Sequence, residues 1–432
     1  MPLVEQLKPK NNSAASYFPV SANSANNKYE WETVVGFFIK SLHNIELEKT
    51  INTLDDFKLL CKTQITNKLD GEPFWHIIEK MYFDNEQVLN ISPEMQALKV
   101  LNPESSNAGD ERLTSFLVGL LGDLQLTQPP ESHLNFLERE IKTVFDSPLV
   151  TKKSQKLKKF NKPYLPELSE FFQKDLAFLV GYPEHFLQNI KSFLKLYGFL
   201  YTAQLALNVR GWSSQPEVKP CYFILDSEKA SKERTKLQLH GHKQVVESSY
   251  ALFPYLALNE SLQDAKSSIV PLWELVGELT SNDIDALNSY AADFHEDRKL
   301  TSELLPAENI DQAITSLIKL FIEQFKKGAT RETAFNNFVK ATRETLIKPF
   351  EQSRGRAGSY LVLNQDYLLL LTNISIGSRE KLRLHELLVE FQNRGVFFDK
   401  SSEECLIDLF ERMGNVERMS DSGDAVYVKK TI

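Results

Sequence analysis

A chain of 432 residues with 42% hydrophobic content is too long for one ordinary core and has apolar side chains enough for two or three domains. Its formal net charge of -8 excludes a surface that coats nucleic acid throughout, since phosphate binding needs local excesses of Lys and Arg, so any such contact must be a patch. The three cysteines, Cys61, Cys221 and Cys405, lie far apart without CxxC spacing; with no leader-like start and no run of about 18 apolar residues, a cytoplasmic chain without a membrane span is expected.

Residues 1–28 are rich in Asn, Ser and Ala and read as a loosely attached tail. From 29 to 150 apolar groups recur at helical spacing, as in Trp31, Val34, Val35, Phe38 and Ile39, which predicts an N-terminal helical domain. Breaks are expected at Asn102-Pro103 to Gly109 and at Pro129-Pro130. The stretch Thr151 to Lys162 holds six lysines and no acidic residue, which marks a boundary. A central, mainly helical domain follows over 163–350. Its long apolar segment Phe186 to Val209 carries Lys191 and Lys195 at helical spacing and reads as a buried helix. Cys221 to Leu225 changes period to that of a strand, giving a short β element near 221–226, either single or half of a hairpin. Asp311 to Lys327 has an apolar stripe, lysines in its last turn and Gly328 beyond, and predicts a helix.

Arg354 to Gly358 reads as a basic linker into a last module, 359–432. There a short strand at Tyr360 to Leu363 precedes a helix opened by Asp366, a second helix capped by Ser378 and ended by Gly395, and a third with the capping box Ser401-x-x-Glu404 ended by Gly414. Two strands joined by Asp421-Ser422-Gly423-Asp424 close the chain. Three helices and a hairpin predict a winged helix, so the fold class is mainly α: a multi-domain helical body with a C-terminal winged-helix domain.

Candidate chemistry is sparse. Glu217-Val218-Lys219 with Asp226 has the E-x-K spacing of a metal-dependent nuclease, but Pro216 and Pro220 bracket it and surface charge is the simpler reading. His240-Gly241-His242 could share a metal, yet no further ligand pair stands nearby, so a solvated loop is expected. Phe294 to Arg298 reads as a solvated helix end. No GxxxxGK[ST] is present, and neither a catalytic residue, a metal ligand nor a cofactor is assigned.

Nucleic-acid contact has better candidates. Lys152, Lys153, Lys156, Lys158 and Lys159 could neutralise successive phosphates without reading bases, and Arg354 and Arg356 sit among glycines that let a backbone come close; a solvated linker is the equal alternative for both stretches. The last module is acidic, with nine Lys and Arg against twelve Asp and Glu from 359 to 432. Its third helix carries Glu403, Glu404, Asp408 and Glu411 against Arg412, which repels phosphate from the element that would enter a major groove. Only the wing, with Arg418, Lys429 and Lys430, has the right sign. A protein-docking winged helix is therefore favoured over a direct DNA reader.

The run Leu382 to Lys430, and in it Asn393 to Asp399 and the turn Ser420 to Val428, together with Tyr222 to Leu225 followed by Glu228-Lys229-Ala230-Ser231, resembles the DptG (DndG) family of DNA phosphorothioation-dependent restriction proteins. The resemblance implies a component of a defence complex that attacks DNA lacking the host's phosphorothioate mark, working beside ATPase or helicase-like subunits. It supplies no catalytic residues. The combined expectation is a non-catalytic scaffold that touches DNA independently of sequence and docks an ATPase partner; the alternatives are a nuclease with a diverged metal site or a winged-helix regulator.

Overall fold

The computed structural model of the chain describes residues 3–48, 50–68, 72–101, 106–122, 124, 134–152, 161–229, 231–264, 268–419 and 425–432. The fold is mainly helical and divides into two compact units. The smaller comprises 28–158 and 173–194; the larger comprises 1–27, 159–172 and 195–431.

In the smaller unit α1 (Trp31–Leu42), β1 (Ile45–Leu47), α2 (Leu54–Ile65), α3 (Glu72–Ile78), α4 (Ala108–Gly119), α5 (Phe136–Val144) and β2 (Val150–Lys152) follow in order. α1 buries Val34, Val35, Phe38 and Ile39, four of the five residues its periodicity singles out, and leaves Trp31 half-buried. Helix starts here are fixed by reciprocal caps: Thr53 with Asp56, Asn107 with Asp110 and Asn135 with Glu138 each satisfy two backbone amides. β1 and β2 pair antiparallel, Ile45 opposite Lys152.

α6 (Pro166–Val180) and α7 (Pro183–Asn208) each contribute to both units. Among the described residues no helix is long and apolar enough to cross a membrane. The larger unit continues with β3 (Cys221–Leu225), α8 (Thr235–Leu239), α9 (His242–Ser249), α10 (Leu252–Ser261), α11 (Leu272–Glu278), α12 (Ile284–Asp297), α13 (Ile310–Glu323) and α14 (Glu332–Thr342). β4 (Glu351–Ser353), β5 (Ser359–Leu363), α15 (Gln365–Ile376), β6 (Lys381–Arg383), α16 (Leu384–Asn393), β7 (Val396–Phe397), α17 (Lys400–Met413), β8 (Val416–Met419) and β9 (Ala425–Lys429) complete it.

Its helical core is aromatic. Phe253 stacks on Phe325 at 4.9 Å and on Phe338 at 4.5 Å, and Phe294 on Phe321 at 4.3 Å. The expected loose tail joins this core: Ala14, Tyr17, Phe18 and Val20 are buried, Phe18 lies 5.6 Å from Phe338, and the Tyr17 hydroxyl donates to the Ile269 carbonyl. Two aromatic anchors outweigh the polar composition around them. α13 stops four residues before the expected Lys327, because Gln324 turns inward, fully buried, to meet Asn12 and Arg298.

β3 is neither solitary nor part of a hairpin. It is central in a sheet of order β4-β5-β3-β7, parallel to β5 and to β7 and buried along nearly its whole length. Such burial on both faces explains its unbroken apolar run. A second sheet, β6-β9-β8, is antiparallel, with Leu382 opposite Val428 and Val416 opposite Val428 from the other side. The C-terminal caps differ from the expected ones. Ser378 caps nothing, since the chain first extends into β6 and the next helix starts at Leu384. α17 is capped by Asp399, whose side chain accepts the Ser402 amide, rather than by Ser401. The expected turn at Asp421 to Asp424 lies outside the described residues.

Candidate nucleic-acid interface

The parallel strands bring their C-terminal ends together, β3 leading to Glu228 and β7 to Asp399. Arg234 joins the two: its Nε donates to Asp399 Oδ2 at 2.6 Å, its other nitrogens pair with Glu228 and Asp399, and Nη2 donates to Ser402 Oγ at 2.7 Å. The Ser402 hydroxyl donates in turn to Glu228 at 2.9 Å, and Glu228 Oε2 also accepts the Leu225 amide at 3.1 Å. Glu228 and Ser402 are buried, while Arg234 and Asp399 are nearly so. Burial alone would raise the Asp399 carboxyl, but the forked guanidinium and the Ser402 amide hold it below its ordinary range. Every charge here is answered inside the cluster. It is a brace that seats α17 on the sheet, with nothing left over for a ligand.

The opposite situation holds on the outward face of β6 and β9. Strand alternation turns Leu382 and Val428 inward and sends Lys381, Arg383, Tyr427 and Lys429 to the other side. Lys381 Nζ sits 5.1 Å from the Tyr427 ring centre, and Arg383 Nε donates to the Tyr427 hydroxyl at 3.0 Å. Glu417 on β8 lies between Lys381, at 3.1 Å, and Lys429, at 2.8 Å, and these ammonium groups hold its carboxyl below the usual range. Three cations surround one ring and one carboxylate. α17 shows the reverse sign, with Glu404, Asp408 and Glu411 exposed.

Of the expected DNA-contact residues, Lys152 ends β2, and Lys153, Lys156, Lys158 and Lys159 lie outside the described residues. Arg354 is engaged within the fold: Nη2 donates to the Asp226 carbonyl at 2.6 Å and lies 3.7 Å from its carboxylate. Arg356 is exposed on the turn between β4 and β5. Arg418 pairs with Glu411 on α17, and Lys430 Nζ donates to the Gly377 carbonyl at the end of α15. Lys429 alone of the expected wing residues joins the basic face. Its companions Lys381, Arg383 and Tyr427 escape the sequence reading; the alternating K-L-R and Y-V-K triplets are the available signal, hidden when the first is taken as the approach to a helix.

The other candidates do not assemble. Lys219 precedes β3 and Asp226 follows it, so the extended run separates them by roughly 23 Å at the usual rise per residue. Lys219 Nζ instead donates to the Leu207 carbonyl at the end of α7. His240 contacts Gln244, whereas His242 is buried with Nε2 3.1 Å from Glu351, not in a solvated loop. Arg298, expected on a solvated helix end, is buried and donates to the Lys10 carbonyl and Gln324; burial and the nearby Arg331 lower its affinity for protons. Among the described residues no group of three or more His, Cys, Asp or Glu could hold a metal ion. No protein-family model matches the chain, and no curated protein matches it.

Proposed function

We propose that residues 359–432 form a winged helix, with its leading strand β5 paired to β3 and β4, and that the chain is a non-catalytic, cytoplasmic subunit of a phosphorothioation-dependent DNA restriction complex. In this reading the face around Tyr427 touches the DNA backbone and the acidic face of α17 docks a partner of ATPase or helicase type. The order helix, strand, helix, short strand, helix, strand, strand, with β9 between β6 and β8 and the short β7 paired to β3 instead, supports the winged-helix assignment. The observation that carries the functional reading is the separation of charge: Lys381, Arg383 and Lys429 on the sheet, Glu404, Asp408 and Glu411 on the helix. A winged helix that read bases through α17 would set four acidic side chains against phosphates; one that rests its sheet on the backbone avoids this. The restriction setting itself rests on the sequence resemblance.

The test is duplex DNA binding by the full chain, followed against salt. Replacing Lys381, Arg383 and Lys429 with Ala should weaken binding and reduce the slope of log affinity against log salt by about 0.9 for every phosphate the face no longer neutralises. An unchanged slope removes the sheet face as the DNA-binding surface. The docking half is tested by co-purification with proteins encoded beside this one, where Glu404→Lys with Asp408→Lys should release the partner without altering DNA binding.

A further inference from the structure

A second patch of cations and rings lies elsewhere in the larger unit. α14 continues through a π turn, Arg343–Ile347, and a 3-10 turn, Lys348–Phe350, so that Phe335, Lys340, Arg343 and Lys348 share one face of a nearly continuous helical rod. Tyr250, at the end of α9, stands opposite. Between them is a groove of about 700 Å³, within the range of small-ligand sites.

Tyr250 is 45% exposed, and its ring centre lies 6.4 Å from that of Phe335 on the facing rod at an interplanar angle of 59°, so two incompletely covered rings meet at one end of the groove. Lys340, Arg343 and Lys348 supply positive charge further along the rod. Glu351 does not cancel them freely: Arg343 grips it at 2.9 Å, and His242 approaches it from behind at 3.1 Å. Burial works against ionising Glu351, but these two neighbours keep its carboxyl below the ordinary range. Glu344 is the remaining carboxylate in the lining. Among the described residues, neither Lys340 nor Lys348 has an ion-pair partner. The groove thus presents two ammonium groups without ion-pair partners beside one exposed ring, Tyr250, and one half-buried ring, Phe335, which also stacks on Phe325.

We propose that this groove binds a nucleoside phosphate unit, with the base against Tyr250 and Phe335 and the phosphate on Lys340 and Lys348. Every base offers a π face, so stacking tolerates any sequence, while paired lysines attract the phosphate without geometric selection. The unit is either a free nucleotide or part of an unpaired strand. The proposal does not rest on the duplex contact at the β6–β9 face, since different residues carry the two.

The experiment measures fluorescence anisotropy of the full chain with a labelled oligothymidylate of about ten nucleotides. Tyr250→Ala, and Lys340→Ala with Lys348→Ala, should each weaken binding about tenfold or more. The double lysine change should also lower the salt slope by about 1.4, the single-strand value for two phosphates. Tyr250→Phe keeps the ring and should bind like the native chain, as should Lys319→Ala, an exposed cation on α13 that belongs to neither face. Displacement of the oligonucleotide by AMP or dTMP identifies the free nucleotide as the source; binding of the strand without displacement identifies an unpaired strand. Failure to bind either probe, or native affinity in both the Tyr250→Ala and the double lysine variants, overturns the proposal. An equal loss in Lys319→Ala would overturn it too, by showing that the binding is general attraction to surface cations.

Discussion

The Arg234 cluster and the Tyr427 face use the same residue types to opposite ends. Around Arg234 the charges are enclosed, and each is answered by a partner: two carboxylates, a hydroxyl and two backbone amides saturate one another. Around Tyr427 they are partly open to water: Lys381, Arg383 and Lys429 meet the ring and Glu417, while Glu380 and Glu386 act on Lys429 and Arg383 from beside them. Enclosed charges must be matched because desolvation is costly, so they hold segments together and offer nothing outward. Open charges need no matching and remain available to a partner. Charge alone therefore does not mark an interface; unmatched, accessible charge does.

The sharpest way to break this contrast is to remove Arg234. Arg234→Ala strands Glu228 and Asp399 in a confined space, and the loss of one partner of a buried pair should cost about 3–5 kcal/mol. Urea unfolding followed by circular dichroism measures it; a cost under about 1 kcal/mol would place the cluster with ordinary surface pairs. Gly395→Ala should come next, at about 2–4 kcal/mol, from left-handed strain and broken hydrogen bonds. Gly395 has φ +83°, and a methyl there would meet the Gln204 amide nitrogen at 2.3 Å. Gln204 cannot simply swing away, because it is buried and bridges both the amide and the carbonyl of Lys219 before β3. Gly395→Ala with Gln204→Ala should recover the steric part and leave the backbone strain.

Acid should reveal the cluster as well. The Asp399 carboxyl is held below its ordinary value, so its contribution is fully present above the unfolded value, near pH 4, and is lost as pH falls through the lower folded value. Glu390, gripped by Arg379 and Arg394 against its burial, behaves the same way. Stability should therefore decline below about pH 4–5, more steeply in the native chain than in Asp399→Asn. Equal slopes in the two proteins would mean that Asp399 is not held by Arg234 in solution.

Much of this organisation is legible in the sequence, and the gaps have physical causes. Helical periodicity locates α1, α7 and α13, and the continuous apolar run locates β3, because burial writes itself into adjacent residues. What β3 pairs with is not legible: its partners β5 and β7 lie more than a hundred residues away, and short-range pattern carries no information about them. The same limit hides the brace, whose members Glu228, Arg234, Asp399 and Ser402 read as unrelated surface charges. The segment Asn393 to Asp399, prominent in the family resemblance, is largely interior after its exposed first residue: Arg394 is 1% exposed with its guanidinium 4.5 Å from the Phe171 ring centre, and Gly395 abuts Gln204. Its constraints are those of folding. The basic face is half legible, Lys429 following from the sign of the wing while Lys381 and Arg383 are obscured by a helix start placed too early.

The smallest expected effect is on the stability of the exposed face, and it decides whether the contrast holds. Lys381→Ala and Lys429→Ala each remove a cation beside Glu417, whose side chain is 33% exposed and keeps the other lysine as a partner. Water replaces either partner readily, so each change should leave unfolding stability close to that of the native chain. Lys381→Ala should cost slightly more than Lys429→Ala, because it also gives up the approach to the Tyr427 ring. Thermal melts of the two variants beside Arg234→Ala make the comparison direct. A loss in either lysine variant as large as that of Arg234→Ala would make the face a structural brace too, and would remove the physical ground for reading its charges as held out toward DNA.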